Sequence, residues 1–255
     1  MRKESEGSFS YLVTVSYDGS GFSGWAKQTN KFTVQGYIEK VLSKIFRRDV
    51  ALNSISRLDK GVHAVNQKFL FCLNLKFEKQ KLLFLLAKAL KLIQIKNVRL
   101  VKNGFLTLNS LVFKEYRYFI NIGKFNLWKV NYRWEYCSFL SVNKLQNILN
   151  IFVGNHDFFN FCYCKQKDWE RKNTWREIDL IQVQQRGSTI VIIIRGKGFL
   201  RYQVRFIIGE AIQCYENKQT LESLKRKLFQ PEKLNNKHHS LAPPTGLYLW
   251  KIKFR

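Results

Sequence analysis

Apolar and polar positions alternate with a period of two at the start of the chain and then change period. Residues 10–17 (SYLVTVSY) alternate and are rich in β-branched and aromatic side chains, which predicts a strand. Val34, Ile38, Val41, Leu42, Ile45 and Phe46 then fall at helical spacing, with Thr33 placed to cap the first turn. Further strands are expected over 49–55, 68–77 and 98–101, and an apolar helix over 82–93. The second half uses the same vocabulary, beginning with a strand over 115–122 (EYRYFINI). Leu145, Ile148, Leu149 and Phe152 mark a helix capped by Ser141 and ended by Gly154. Strands over 175–184 and 189–194 turn through Arg186, Gly187 and Ser188, helices are expected over 201–215 and 220–229, and a strand over 247–254 comes last.

Strands and helices are mixed without strict βαβ alternation, and several strands are joined as hairpins. This pattern predicts an α+β fold of two similar halves, 1–104 and 105–255, each with mixed, largely antiparallel sheet flanked by helices. No internal repeat is strong enough to establish a duplication. The three prolines build no rigid linker, and residues 230–239 read as an exposed loop.

Charge changes the picture more than composition does. Lys and Arg number 44 against 18 Asp and Glu, a formal charge of +26. Self-repulsion makes such an excess mildly costly, and a polyanionic partner removes the cost. Nucleic acid is the first candidate because bound phosphates release counterions; an anionic membrane surface is the second, and a general lysine bias is the plain alternative. The bases run through the whole length rather than forming a tail, so a broad cleft is expected. The five cysteines are odd in number and form no C-x-x-C pair, which argues against a disulfide framework or zinc ribbon and for a reduced, cytoplasmic setting. Residues 1–10 lack the apolar core of a signal peptide. The 82–93 stretch is too short to span a bilayer and carries Lys88 and Lys91, so a buried helix is expected there.

Three stretches carry candidate chemistry. Gly19, Gly21 and Gly24 fit a dinucleotide-binding glycine pattern, but the helix starts ten residues too late and Lys44 stands where a ribose-binding acid belongs. A loop anchored by Trp25 is the better reading. In SRLDKGVHA (56–64), Asp59 lies between Arg57 and Lys60, just before Gly61. A carboxylate there can serve as nucleophile, as general acid or base, or as one side of a solvated turn; only His63 is near enough to assist metal binding. Flanking strands would hold the turn rigidly. In KEYRY (114–118), alternation puts Tyr116 and Tyr118 on one face and Arg117 on the other, a pattern that fits base stacking beside cations as well as a half-buried sheet face. In FLRYQVR (199–205), Arg201 and Arg205 are spaced i, i+4 at a helix start, while Val204, Ile207, Ile208 and Ala211 form the apolar stripe; a buried arginine there needs an acid.

Taken in order, six blocks resemble the signatures of the tRNA pseudouridine synthase A family. They are Tyr17-Asp18-Gly19 through Trp25 with Gln28 and Thr33-Val34-Gln35, then SRLDKGVHA, KEYRY, GNHDFFNF (154–161), GKGFLRYQVRFIIG (196–209) and APPTGLYL (242–249). The resemblance implies an isomerase that converts uridine to pseudouridine in the anticodon arm of tRNA, at positions 38, 39 and 40. It implies no cofactor, a homodimer, and an active-site cleft between the two halves. It puts the essential aspartate at Asp59, the tyrosine that packs on the target base at Tyr116, the ion-pair partner of the aspartate at Arg205, and a hold on the RNA at Arg57. The chain departs from the family pattern at Leu58 and Lys60, where Thr and Ala are usual, and at Leu108, where Arg is usual. A non-catalytic RNA-binding protein on the same fold is the rival reading.

Overall fold

The computed structural model describes residues 8–102, 105, 110–163, 173–230 and 240–255. The elements in chain order are β1 (Phe9–Tyr17), α1 (Val34–Phe46), β2 (Asn53–Ser54), β3 (His63–Leu73), α2 (Lys79–Ala89), β4 (Gln94–Val101), β5 (Leu111–Asn121), β6 (Trp134–Glu135), α3 (Val142–Leu149), β7 (Gly154–Asp157), β8 (Trp175–Arg186), β9 (Thr189–Gly196), α4 (Gln203–Tyr215), α5 (Leu221–Phe229) and β10 (Leu247–Phe254). They form an α+β fold. Among the described residues no helix is long and apolar enough to cross a membrane.

The chain divides into two compact units, Met1–Val112 with Leu249–Arg255, and Phe113–Tyr248. The sequence placed a division at 104/105; here it falls eight residues later, and the final strand returns to the first unit. The ladder explains the return, since Arg255 N donates to Ser110 O at 2.9 Å.

In the first unit the strands lie in the order β4-β1-β3-β10, with β2 added on β3. β1 is antiparallel to both neighbours, Val13 facing Phe69 on one side and Val98 on the other. Val13, Val15, Phe69 and Phe71 are buried, and α1 presents Val34, Ile38 and Leu42 with no exposure at all. Thr33 caps α1 as its spacing predicts, its hydroxyl accepting from Gly36 N at 3.3 Å. Two expectations need correction. Of the strand expected over 49–55 only Asn53–Ser54 is strand, paired with Leu70 and Phe69 of β3, and one further bond from Ile55 N to Lys68 O closes the ladder before the chain leaves the sheet. The expected buried helix is amphipathic: Leu82 and Leu86 are buried, but Phe84 is 69% exposed, because α2 has one face to cover and the other faces water.

The second unit is built on β5-β9-β8-β7, all antiparallel, with the two-residue β6 parallel to β5. β9 contains a run of five β-branched residues, Ile190 to Ile194, all buried and therefore covered on both faces. The third helix stops at Leu149 and tightens into a 3-10 turn through Phe152, with Ser141 as cap, while Gly154 at φ +111° opens β7. α4 is buried almost all round. Its Gly209 has no room for a side chain: a Cβ would lie 2.2 Å from the carbonyl oxygen of Ser240, so the 240–242 segment crosses directly over the helix.

Candidate active site

Asp59 sits at the first position of a four-residue turn. Val62 N donates to Asp59 O at 3.2 Å, and Gly61 has φ +78° while Lys60 keeps negative φ, the pattern of a type II turn. Asp59 is half-buried, Arg57 and Lys60 are exposed, and Leu58 between them is buried. Leu58, at a position where the family resemblance led one to expect Thr, therefore anchors the turn as an apolar plug.

The glycine pattern of the N-terminal loop is explained by this turn. A Cβ on Gly19 would lie 2.0 Å from Val62 O, and one on Gly24 would lie 3.0 Å from Leu58 O and 3.3 Å from the backbone carbon of Asp59. Gly24 also has φ +97°. Two glycines thus let one loop's backbone lie against another's. Trp25 N donates to Leu58 O at 2.9 Å, Val34 N to Gly24 O at 3.1 Å and Gln35 N to Trp25 O at 3.0 Å, pinning the loop to the turn and to the start of α1. Trp25 is fully buried, 6.2 Å from the Tyr17 ring and 6.1 Å from Phe69. The anchored-loop reading of this stretch holds.

Two buried polar side chains of β3 face the same turn region. Gln67, with no exposure, donates from Nε2 to Ser56 O at 2.6 Å and accepts Lys68 N at Oε1, 3.0 Å. His63, 2% exposed, accepts from Gly19 N at Nδ1, 3.1 Å. That bond requires an unprotonated Nδ1. The same nitrogen lies 3.2 Å from Asp18 Oδ1, a contact that becomes an ion pair only on protonation, and Asp18 Oδ1 already accepts from Ser20 N at 2.8 Å. We take the Gly19 bond as the resting arrangement, because its donor hydrogen is fixed by the backbone. Sequence reading missed Gln67. Its signal was phase, since it alternates with Phe69 and Phe71 as an inward polar residue on an apolar face.

Tyr116 and Arg205 belong to the second unit, Asp59 and Arg57 to the first. Tyr116 is 6% exposed and packs edge-on against Phe199, with ring centroids 5.0 Å apart. Tyr118, on the same face of β5, donates its hydroxyl to Pro243 O at 2.8 Å; burial pushes that phenol far up, against the lowering pull of the Arg205 charge. Lys114 shares the face, and burial pushes its ammonium down to about 8. On the opposite face Glu115, 4% exposed, accepts from Arg117 and from Arg195, whose guanidinium lies over the Phe113 ring. Arg205 is 8% exposed and donates from Nε to Ala242 O at 2.7 Å. The i, i+4 pairing of Arg201 with Arg205 on one helix does not form. α4 begins only at Gln203 after Tyr202 in a left-handed conformation, and Arg201 instead lies exposed over the Tyr163 and Tyr202 rings. Leu108 lies outside the described residues.

Among the described residues no group of three or more His, Cys, Asp or Glu is placed to hold a metal ion, and Cys72, Cys137, Cys162 and Cys214 form no disulfide with one another. A cavity of about 540 Å³ in the first unit is lined by Tyr17, Asp18, Ala64, Leu90 and Gln94, among others; Asp59 is not part of it. What the turn offers chemically is one carboxylate on a doubly pinned loop, within a strongly basic chain.

A family profile described as tRNA pseudouridine synthase matches residues 148–255, which puts the chain in the class of uridine-isomerising enzymes. Over nearly its whole length it is similar to proteins named tRNA pseudouridine synthase A. The one from Mesoplasma florum is 36% identical, covering 97% of this chain and 99% of that protein. Those from Malacoplasma penetrans (34%, covering 94% and 98%) and Ureaplasma urealyticum (36%, covering 96% and 99%) match comparably. The chain belongs to the tRNA pseudouridine synthase A family and is an isomerase of that family.

Proposed function

We propose that this protein converts uridine to pseudouridine in the anticodon arm of tRNA, at positions 38, 39 and 40, with Asp59 as the nucleophile. The reaction breaks the N1–C1′ bond, turns the uracil and joins C5 to C1′. The proton on C5 is lost and one is gained at N1, so the step balances without an oxidant, a reductant or a group donor. The carboxylate attacks as its ionised form, at C1′ or on the base, and a covalent adduct holds the reacting partners together while the base turns. A stacked base is out of reach, so the uridine has to be flipped out first. In this reading Tyr116 supplies the ring on which the uracil packs, Arg57 holds the RNA, and Arg205, at the substrate-binding site, pairs with Asp59. Family likeness further suggests a homodimer working in the cytoplasm.

The observation that carries the proposal is the clamp on the Asp59 turn: Gly19 and Gly24 pressed against its two ends, with Trp25 N bonded to Leu58 O. A solvated surface turn has no need of such support, whereas a nucleophile must be held within about 0.5 Å of its productive position. The test is Asp59→Asn, assayed by tritium release from tRNA carrying 5-tritiated uridine. Binding of tRNA should survive, and release should fall by at least about 10³-fold. Unchanged release would leave a nucleophilic Asp59 without support, and no release from the wild type would favour a purely RNA-binding protein.

A further inference from the structure

We infer that Gln67 and His63 are positioning residues for Asp59, holding the two ends of its turn from β3; the inference rests on the reading of Asp59 as the nucleophile. The backbone ladder between β2 and β3 ends with Ile55 N donating to Lys68 O at 3.3 Å. One residue later the chain peels away, and the carbonyl of Ser56 is taken not by backbone but by Gln67 Nε2 at 2.6 Å. Gln67 thus sets the point at which the turn leaves the sheet. At the other end, Val62 O presses on the Cα side of Gly19, and Gly19 N is held by His63 Nδ1 at 3.1 Å. Both residues lie on β3, on either side of an irregularity in its pairing with β1, where Val15 pairs with Gln67 and Tyr17 with Ala64.

Burying a polar side chain costs free energy unless its bonds are made. Both residues are buried, and Gln67 stands in phase with Phe69 and Phe71, where an apolar side chain would serve packing alone. The bonds they make instead fix six consecutive residues, Arg57 to Val62, that carry the reacting carboxylate. Geometry of this kind bears on the rate of the chemical step more than on RNA affinity, because a displacement near 1 Å can cost about 10²-fold in rate.

The experiment measures single-turnover tritium release at saturating tRNA, and separately the tRNA dissociation constant, on variants checked for folding by circular dichroism. Gln67→Leu and His63→Leu should each slow release by roughly 10- to 100-fold, with the dissociation constant within about twofold of wild type. His63→Asn, whose amide oxygen can take the place of Nδ1 as acceptor, should recover most of the rate. Gln146→Leu is the structural control. It removes a comparable tether, Nε2 to Ile181 O at 3.0 Å and Val183 N to Oε1 at 2.7 Å, and should keep the wild-type rate. The inference is overturned if Gln67→Leu and His63→Leu release at the wild-type rate, if their loss lies in tRNA affinity, or if Gln146→Leu slows release equally. Should Gln67→Leu not fold, the contrast between His63→Leu and His63→Asn decides alone. An inactive Asp59→Asn beside a fully active Gln67→Leu would sink the positioning role only, whereas an active Asp59→Asn would sink the nucleophile itself.

Discussion

Gly19 and Gly21 stand two residues apart in the same loop and face opposite constraints. A methyl group at Gly19 would meet Val62 O at 2.0 Å, whereas at Gly21 it would meet nothing within 4 Å. Gly19→Ala should therefore displace the Asp59 turn, costing about 1–3 kcal/mol of stability by overpacking and slowing tritium release more than 10-fold. Gly21→Ala should change neither. Urea midpoints and single-turnover rates on the pair check this, and equal effects would mean that the loop does not support the turn. A sequence pattern cannot tell these two glycines apart, because the distinction lies in a contact with residue 62, more than forty positions away. Asp59 was legible as a candidate through its motif, since one acid among bases stands out. Gln67 was not, because a glutamine in a strand is normally solvated and only the paired strands reveal that it faces inward.

Among the elements, the two-residue strand β6 shows how a loop is secured by charge. Glu135 lies beside Asn121 in parallel register and accepts from Arg133 Nε, from Asn121 Nδ2 at 2.6 Å and from Asn126 N at 3.1 Å. Burial would raise this carboxyl, but the bonds from Arg133, Asn121 and Asn126 outweigh it and hold the group below its usual 4.5. A carboxyl lowered in the folded state stabilises fully above its unfolded value and loses that stabilisation as pH falls through the folded one. Glu135→Gln should thus cost about 1–3 kcal/mol at pH 7, from a buried bond to a charged group. The difference from wild type should shrink as the pH drops below 4.5, as measured by denaturant midpoints across pH 3 to 7. Element type was readable from periodicity for β1, α1, α5 and β10, whose apolar spacing matches the face they bury. Ends were readable only where a cap spelled them out, as Thr33 and Ser141 do. The helix over 82–93 misled because a nearly continuous apolar run carries no phase from which its wet side can be read.

For the molecule as a whole, the excess of 44 basic over 18 acidic residues makes tRNA affinity an electrostatic property. Binding should weaken steeply with salt, by about 10³-fold or more between 50 and 200 mM if six or more phosphates are neutralised. Asp59→Asn should give the same slope of log affinity against log salt, because it alters chemistry and not the phosphate contacts. A filter-binding series in potassium chloride checks both; a shallow slope would mean that the bases do not face the RNA. The division of the chain was less legible than its charge. A boundary drawn from composition cannot foresee that the last seven residues, Leu249–Arg255, rejoin the first unit, because strand pairing is a choice of partner.

By itself the sequence determined the class of fold, the polyanionic character of the partner and the identity of the one acid worth testing, because periodicity, net charge and a motif are properties of residues and their spacing. Tertiary structure alone decided why Gly19 and Gly24 are glycine and why Gln67 and His63 are buried. Each of those rests on which backbone comes within 3 Å of which, and linear order carries no record of such an approach.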